Sequence, residues 1–446
     1  MATSTFNAKT DITALTGTDF AKLTTADLGQ LSKTQAALLT ADQLSSLSAT
    51  TLSAITGVLK YVASTELSGI SLKAIAGLTL KGLTNDQIKA LSVEQLGALS
   101  STQVASMSKA QLGLLDGQAD KVAVLNIAGV SDANLDTLVN DLSVEQIAKL
   151  SSAQISSLSP LQVSSLTADQ AAALTPAQAP FFKSFASMSI VDAASTDEAL
   201  QAVDAKFIAA LPAKLFSTLS TTQLEALSDA QVAVLTSSHI QSLTADKIAH
   251  LGHLGENVAV LSPSAIAGLT KANINAFDFK LLSGDGQFAA LTSVQLGALS
   301  NNQVEAITAD QAGSLTSTQL SAISSTQVVH LSNDAIAALQ PKGISALSPK
   351  AISVLGTGST LLGEVCALTS DQTPYLTSAQ IKVLSLNQLG KFTADEISVL
   401  SPAALAAIPS TAVSAIAPDV FSNLTTAQVA ALTPAQFTNL SASVNG

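Results

Sequence analysis

The sequence predicts an all-α fold, a solenoid of very short helices with one helix per eight-residue repeat, and three observations predict it. An octad of the form apolar, Ser/Thr, x, x, Gln, apolar, x, x recurs through Leu15 to Leu47, Leu142 to Leu174, Leu291 to Leu347 and Leu368 to Leu432. Within each octad, Ser/Thr and Gln stand at helix-start spacing. Proline is concentrated at one position of the frame, the one a helix tolerates best.

Thirty-eight units keep the spacing, and position two is Ser or Thr in 35 of them, with Gln340, Pro409 and Ala417 as exceptions. Position five is Gln, Glu or Asp in 26, among them Gln35, Gln95, Gln146, Gln223, Gln303 and Gln380. A hydroxyl followed three residues later by Gln or Glu is a capping box, in which each side chain satisfies the other residue's backbone N–H. Positions one and six then fall where a hydrophobic staple places its two apolar residues. Position one is always apolar, and position six is apolar except at Thr373. Eight of the twelve prolines (Pro160, Pro176, Pro263, Pro341, Pro349, Pro402, Pro418 and Pro434) occupy the first helical position.

One continuous helix is excluded, because eight residues at about 100° each rotate the apolar stripe by about 80° per unit and smear it around the axis. Strands are excluded because an apolar spacing of five then three switches sheet faces within every unit. Each restarted helix holds about six residues, near 9 Å, which is too short to stand alone. Neighbouring coils must therefore bury positions one and six together, as in other solenoids.

The frame divides the chain into residues 1–182, an octad solenoid with variant units; 183–218, an interruption; and 219–446, a second run of octads. Breaks fall near 56–69, 79–82, 116–141, 183–218, 252–260, 278–290 and 356–367. Four related segments, Asp120–Leu125, Glu256–Leu261, Gly286–Leu291 and Gly363–Leu368, read as longer units in which a Gly-containing turn replaces the hydroxyl cap. The stretch from Ser195-Thr196-Asp197-Glu198 to Leu211 reads as one ordinary helix of about four turns.

Composition narrows the function. The 446 residues are 47% hydrophobic but 3% aromatic and 12% charged, with a net charge of −12. Low hydrophobicity and high charge mark disorder, and this chain shows the reverse. No apolar run approaches the roughly 18 residues of a membrane span. All twenty basic residues are lysine, so nucleic acid and anionic membranes are not expected partners. Cys366 is the single cysteine, which rules out an internal disulfide. The N-terminal residues lack the basic and apolar regions of a cleaved export signal.

No residue is assigned a catalytic, cofactor-binding or metal-binding role, and no enzyme activity is expected. Four possible metal ligands, Asp246, His250, His253 and Glu256, lie close together, but Gly252 and Gly255 interrupt any helix that would align them. His239 and His330 sit inside octads at positions that elsewhere hold Gln, Ala or Ser. Cys366 aligns with Ala123, Ala259 and Ala289, as a small core residue would. The turns at Asp116–Asp120 and Gly284–Gly286 lack the spaced acids of a calcium loop.

Units such as Leu291-Thr292-Ser293-Val294-Gln295-Leu296 and Leu424-Thr425-Thr426-Ala427-Gln428-Val429 resemble the tandem LTxxQVxxL octapeptide arrays of large secreted and surface proteins of proteobacteria. That resemblance implies a bacterial extracellular or cell-surface location, reached without a cleaved N-terminal signal through a one-step system that reads the C-terminal end. Near-identical units, few charges and no site together lead to a structural protein that self-assembles into a filament or layer. The alternative is an adhesin or binding scaffold using one solenoid face.

Overall fold

Each octad folds as a single helical turn followed by an extended pair of residues that starts the next one. A computed structural model describes residues 6–188, 199–251, 257–277, 280, 282–284, 286–355, 368–413, 416 and 423–445, and all regular structure among them is helical. In the octad opening at Leu91, Ser92 is extended (φ −72°, ψ 165°), its hydroxyl accepts from the Gln95 N–H, and the helix Val93–Gly97 follows. Proline takes the first helical position at Pro160, Pro263, Pro341, Pro349, Pro402 and Pro434, where its missing N–H leaves no bond unmade. Pro418 lies outside the described residues.

Three octads make one coil. Gly17–Phe20 packs on Ala41–Ser45, and Thr25–Leu28 on Ala49–Ala54, so each helix meets the third one after it. The same relation joins Ser293–Leu296 to Ser317–Leu320 and Ser378–Ile381 to Pro402–Leu405. Positions one and six fill the interior. Leu39, Leu44, Leu91, Leu96, Leu315 and Leu320 are all at most 3% exposed. The chain forms two compact units, residues 1–215 and 216–446, each built from such coils.

The breaks in the octad frame continue the coils as short 3-10 helices, including Leu59–Tyr61, Ser64–Gly69, Leu80–Gly82 and Ile127–Gly129. The expected four-turn helix ending at Leu211 is not formed. Ala199–Ala202 and Ala205–Ala210 are separate short helices, and Asp204 starts the second by accepting from the Lys206 N–H at 2.7 Å. Val203, Leu211 and Leu219 are in fact octad-spaced, and all three are buried. Asp204 and Pro212 stand where Ser or Thr usually does, which hid the frame. Phe182, Phe185 and Phe207 fill this coil, with ring centroids 5.6–5.9 Å apart.

Among the four Gly-turn segments, Asp120–Leu125 behaves as expected: Gly117 has φ 74° and Ala119–Ala123 begins without a side-chain cap. At Gly286–Leu291 the hydroxyl is retained, contrary to expectation. Ser283 and Gln287 close a cap across four residues instead of three, with the Ser283 N–H donating to Gln287 Oε1 at 3.2 Å. The segment Gly363–Leu368 and Glu256 lie largely outside the described residues. The last helix, Pro434–Asn445, runs to 12 residues.

Coils approach closely where position eight is glycine. A Cβ on Gly77 would collide with the backbone carbonyl of Ala49 in the preceding coil, whereas Gly57 has nothing within 4 Å. Gly77→Ala is expected to cost about 1–3 kcal/mol through overpacking, and Gly57→Ala less than about 0.5 kcal/mol. Urea midpoints of the two variants measure the difference, and equal midpoints would contradict the close-packing argument.

Candidate functional site

The most repeated piece of chemistry in the chain is the side chain at position five. In Gln95 the carboxamide oxygen accepts from the Ser92 N–H at 3.0 Å, completing the cap of its own helix. Its nitrogen donates to Leu67 O at 2.8 Å and Ile70 O at 2.9 Å, one coil earlier. Gln154 does the same with Ser151, Ile127 and Val130, and Gln295 with Thr292, Ile266 and Leu269. Gln380 reaches Ile344 O and Leu347 O, both at 2.8 Å.

In the regular coils the two acceptors are the carbonyls of position six and of the following position one. The position-six carbonyl also accepts from the N–H of the following position one, as Leu67 O does from the Ile70 N–H at 3.0 Å, whereas a carbonyl at position one lies beyond the helix end, and a buried carbonyl left without a partner costs about 1–3 kcal/mol. One neutral amide therefore satisfies a helix start above and a helix end below. It can do so only because it carries both an acceptor and two N–H donors. Among the described residues no buried side-chain nitrogen or oxygen lacks a partner.

Replacements at this position show what each function requires. Asn273 keeps all three bonds, accepting from the Thr270 N–H at 2.7 Å and donating to Ile240 O and Leu243 O at 3.3 and 3.0 Å. Lys247 reaches Ser217 O in the preceding coil at 2.6 Å but has no acceptor to complete its own cap. Asp19 and Asp27, in the first described coil, close their own caps as acceptors and carry no donor for the carbonyls of another coil. His239 is buried at 2% exposure, and its Nδ1 accepts from the Thr236 N–H at 3.2 Å.

The other residues weighed in the sequence do not converge. His250 lies between the Asp246 carbonyl, 2.8 Å from Nδ1, and the Glu225 carboxylate, 3.7 Å from Nε2. His253, Glu256 and Cys366 lie outside the described residues, and among the described ones no group of three His, Cys, Asp or Glu could hold a metal. The Gly117 N–H donates to Asp141 of the next coil at 2.6 Å, so this turn serves coil stacking. A hollow of about 460 Å³ lined by Leu315, Gln340 and Lys342 is wide open to solvent.

One cluster escaped the sequence reading because its members come from two helical turns that meet only when the coils stack, Lys33–Ala36 and Leu59–Tyr61. The ammonium groups of Lys33 and Lys60 stand 5.4 and 5.3 Å from the centre of the Tyr61 ring. The hydrogen bond with Lys33 is the main reason that the Tyr61 hydroxyl is held below the usual tyrosine range.

Two outcomes follow from the position-five chemistry. Gln95→Glu keeps the cap acceptor but places a carboxylate against two carbonyl oxygens, and a loss of about 2–4 kcal/mol is expected in urea unfolding. Asp27→Gln keeps the cap acceptor at a position whose acid makes no bond to another coil, and should change stability by less than about 0.5 kcal/mol; equal losses would remove the intercoil bond from the explanation. The Thr24 hydroxyl and then its N–H, both donating to Asp27, hold that carboxyl below its ordinary value. Its contribution is therefore complete above the ordinary carboxylate pKa of about 4 and is lost as pH falls below it. Amide exchange over residues 24–31 should accelerate in that window beyond the intrinsic pH effect, and Asp27→Asn should flatten the response.

The ALTTAQ repeat family model matches residues 74–109 and 208–245. No curated relative matches the sequence. Among solved structures, the leucine-rich repeat-containing protein LegL7 from Legionella pneumophila aligns at 16% identity over 63% of this chain and 78% of that one, with a TM-score of 0.11. At that score the alignment says nothing about this fold. No helix of the described residues is long and apolar enough to cross a membrane. The chain is an all-helical repeat protein, with segments in both compact units that match the ALTTAQ repeat.

Proposed function

We propose that the chain is a structural repeat protein that associates with copies of itself into a filament or layer, outside the cell or on its surface. The observation that carries this reading is the segregation within each octad. In the unit beginning at Leu91, positions one, five and six (Leu91, Gln95 and Leu96) are buried, while Glu94, Gly97 and Ala98 are exposed. Three octads later the same positions recur, so a second copy meets equivalent small and polar residues at every coil.

The contacts between copies run along the sides of the coils. The extracellular location rests on the resemblance of the octad to secreted bacterial arrays. A second reading, a scaffold binding a foreign ligand, draws support from the exposed Lys33–Tyr61–Lys60 cluster.

Sedimentation velocity over a wide concentration range, with negative-stain microscopy of the same samples, tests the proposal. Concentration-dependent growth into regular filaments or sheets is expected. A strictly monomeric protein at the highest concentration would overturn it.

A further inference from the structure

We propose that His239 makes one coil of the second unit proton-sensitive, so that mild acid opens this coil while its Gln-clamped neighbours stay closed. His239 occupies position five of the octad Leu235–Ser242, the place that Gln231 fills in the preceding octad and Gln223 in the one before. Its helix, Ser237–Ser242, has a complete capping box in which the imidazole replaces the carboxamide. The Thr236 N–H donates to Nδ1 at 3.2 Å, and the His239 N–H donates to the Thr236 hydroxyl at 3.3 Å.

A carboxamide oxygen accepts at any physiological pH, but an imidazole nitrogen accepts only while it is unprotonated. Protonation places an N–H at Nδ1 directly facing the Thr236 N–H. The helix start then loses its acceptor, and a cation is left in a site where the residue is 2% exposed. Phe216 lies against the ring, with centroids 4.8 Å apart and planes inclined by 33°. An aromatic face attracts an imidazolium, yet it supplies nothing for the Thr236 N–H to bond.

Of the charged groups on the surrounding elements, Lys247 alone is half-buried and the others are set toward solvent. Pro263–Ile266, which packs on this helix, carries none. Ala213–Phe216 carries Lys214 and Asp229–Ala233 carries Asp229, both exposed. On Ala245–Ala249, Asp246 is exposed and the Lys247 ammonium donates to Ser217 O. Opening this coil uncovers Phe216, Leu235, Ile240 and Leu243, all buried in the closed form.

The test compares hydrogen–deuterium exchange of the full chain at pH 7.5 and 5.5, corrected for intrinsic rates, in the parent protein and in His239→Gln. In the parent, protection over residues 236–243 is expected to fall by up to about tenfold, the limit that one proton coupled to opening sets a unit below the ordinary histidine value. In His239→Gln it should stay flat, and His250→Gln should behave as the parent does. If the Gln variant does not fold, His239→Asn reads the same quantity, since Asn273 fills an equivalent slot. Equal loss of protection in the parent and in the folded position-239 variant overturns the proposal, as does an unchanged parent.

Discussion

The structure depends on a buried neutral amide that bonds in two directions. A helix of four to six residues leaves most of its backbone groups without internal partners, and restarting it every eight residues multiplies the problem. Water cannot satisfy the groups that face the core. The position-five glutamine satisfies them by accepting at its own helix start and donating to the end of a helix one coil back, as Gln95 does with Ser92, Leu67 and Ile70. Hydrophobic burial at positions one and six holds the coils together without direction. The amide fixes which coil meets which, because its nitrogen reaches only carbonyls clustered within about one turn at a single helix end.

This explains why coil length varies while stacking does not. Gln146 finds Val122 and Leu125, 24 and 21 residues back, whereas Gln380 finds Ile344 and Leu347, 36 and 33 back. Inserted or missing residues alter the path between the carbonyls and the amide, but the bonded endpoints are the same. The cost of lengthening a loop rises only slowly with its length, so the array tolerates the breaks that interrupt the octad frame.

The short helices, their caps and their proline positions were legible in the sequence, because each depends on residues within one octad. The intercoil bond was not read, since its partners lie a whole coil away. A sign of it was nevertheless present. A capping box is served equally by Gln and Glu, yet at position five Gln outnumbers Asp and Glu together by 23 to 3. An acceptor alone suffices for the cap; the excess of Gln marks a need for donors as well. The four-turn helix expected before Leu211 failed for the opposite reason. Asp204 and Pro212 start helices without a Ser/Thr-x-x-Gln signature, and only the eight-residue spacing of Val203, Leu211 and Leu219 betrays them. The Lys33–Tyr61–Lys60 cluster and the His239–Phe216 stack depend on coil geometry that no local pattern encodes.

Coil repetition also explains the scarcity of charge. Residues at one octad position stand above their equivalents in the next coil, so a charge written into the repeat would stack like upon like along the whole array. Uncharged Ser, Thr and Ala avoid this, and only 12% of residues are charged. Opposite charges do meet across coils at one point, where Lys109 and Asp136 approach to 2.6 Å. Acids also meet helix starts of a neighbouring coil, as Glu66 does by accepting from the Ala41 N–H at 2.7 Å and Asp42 from the Gly17 N–H at 2.8 Å. The same constraint that keeps the interior amide neutral thus extends to the surface: in a stacked repeat, a side chain must be compatible with a copy of itself one coil away.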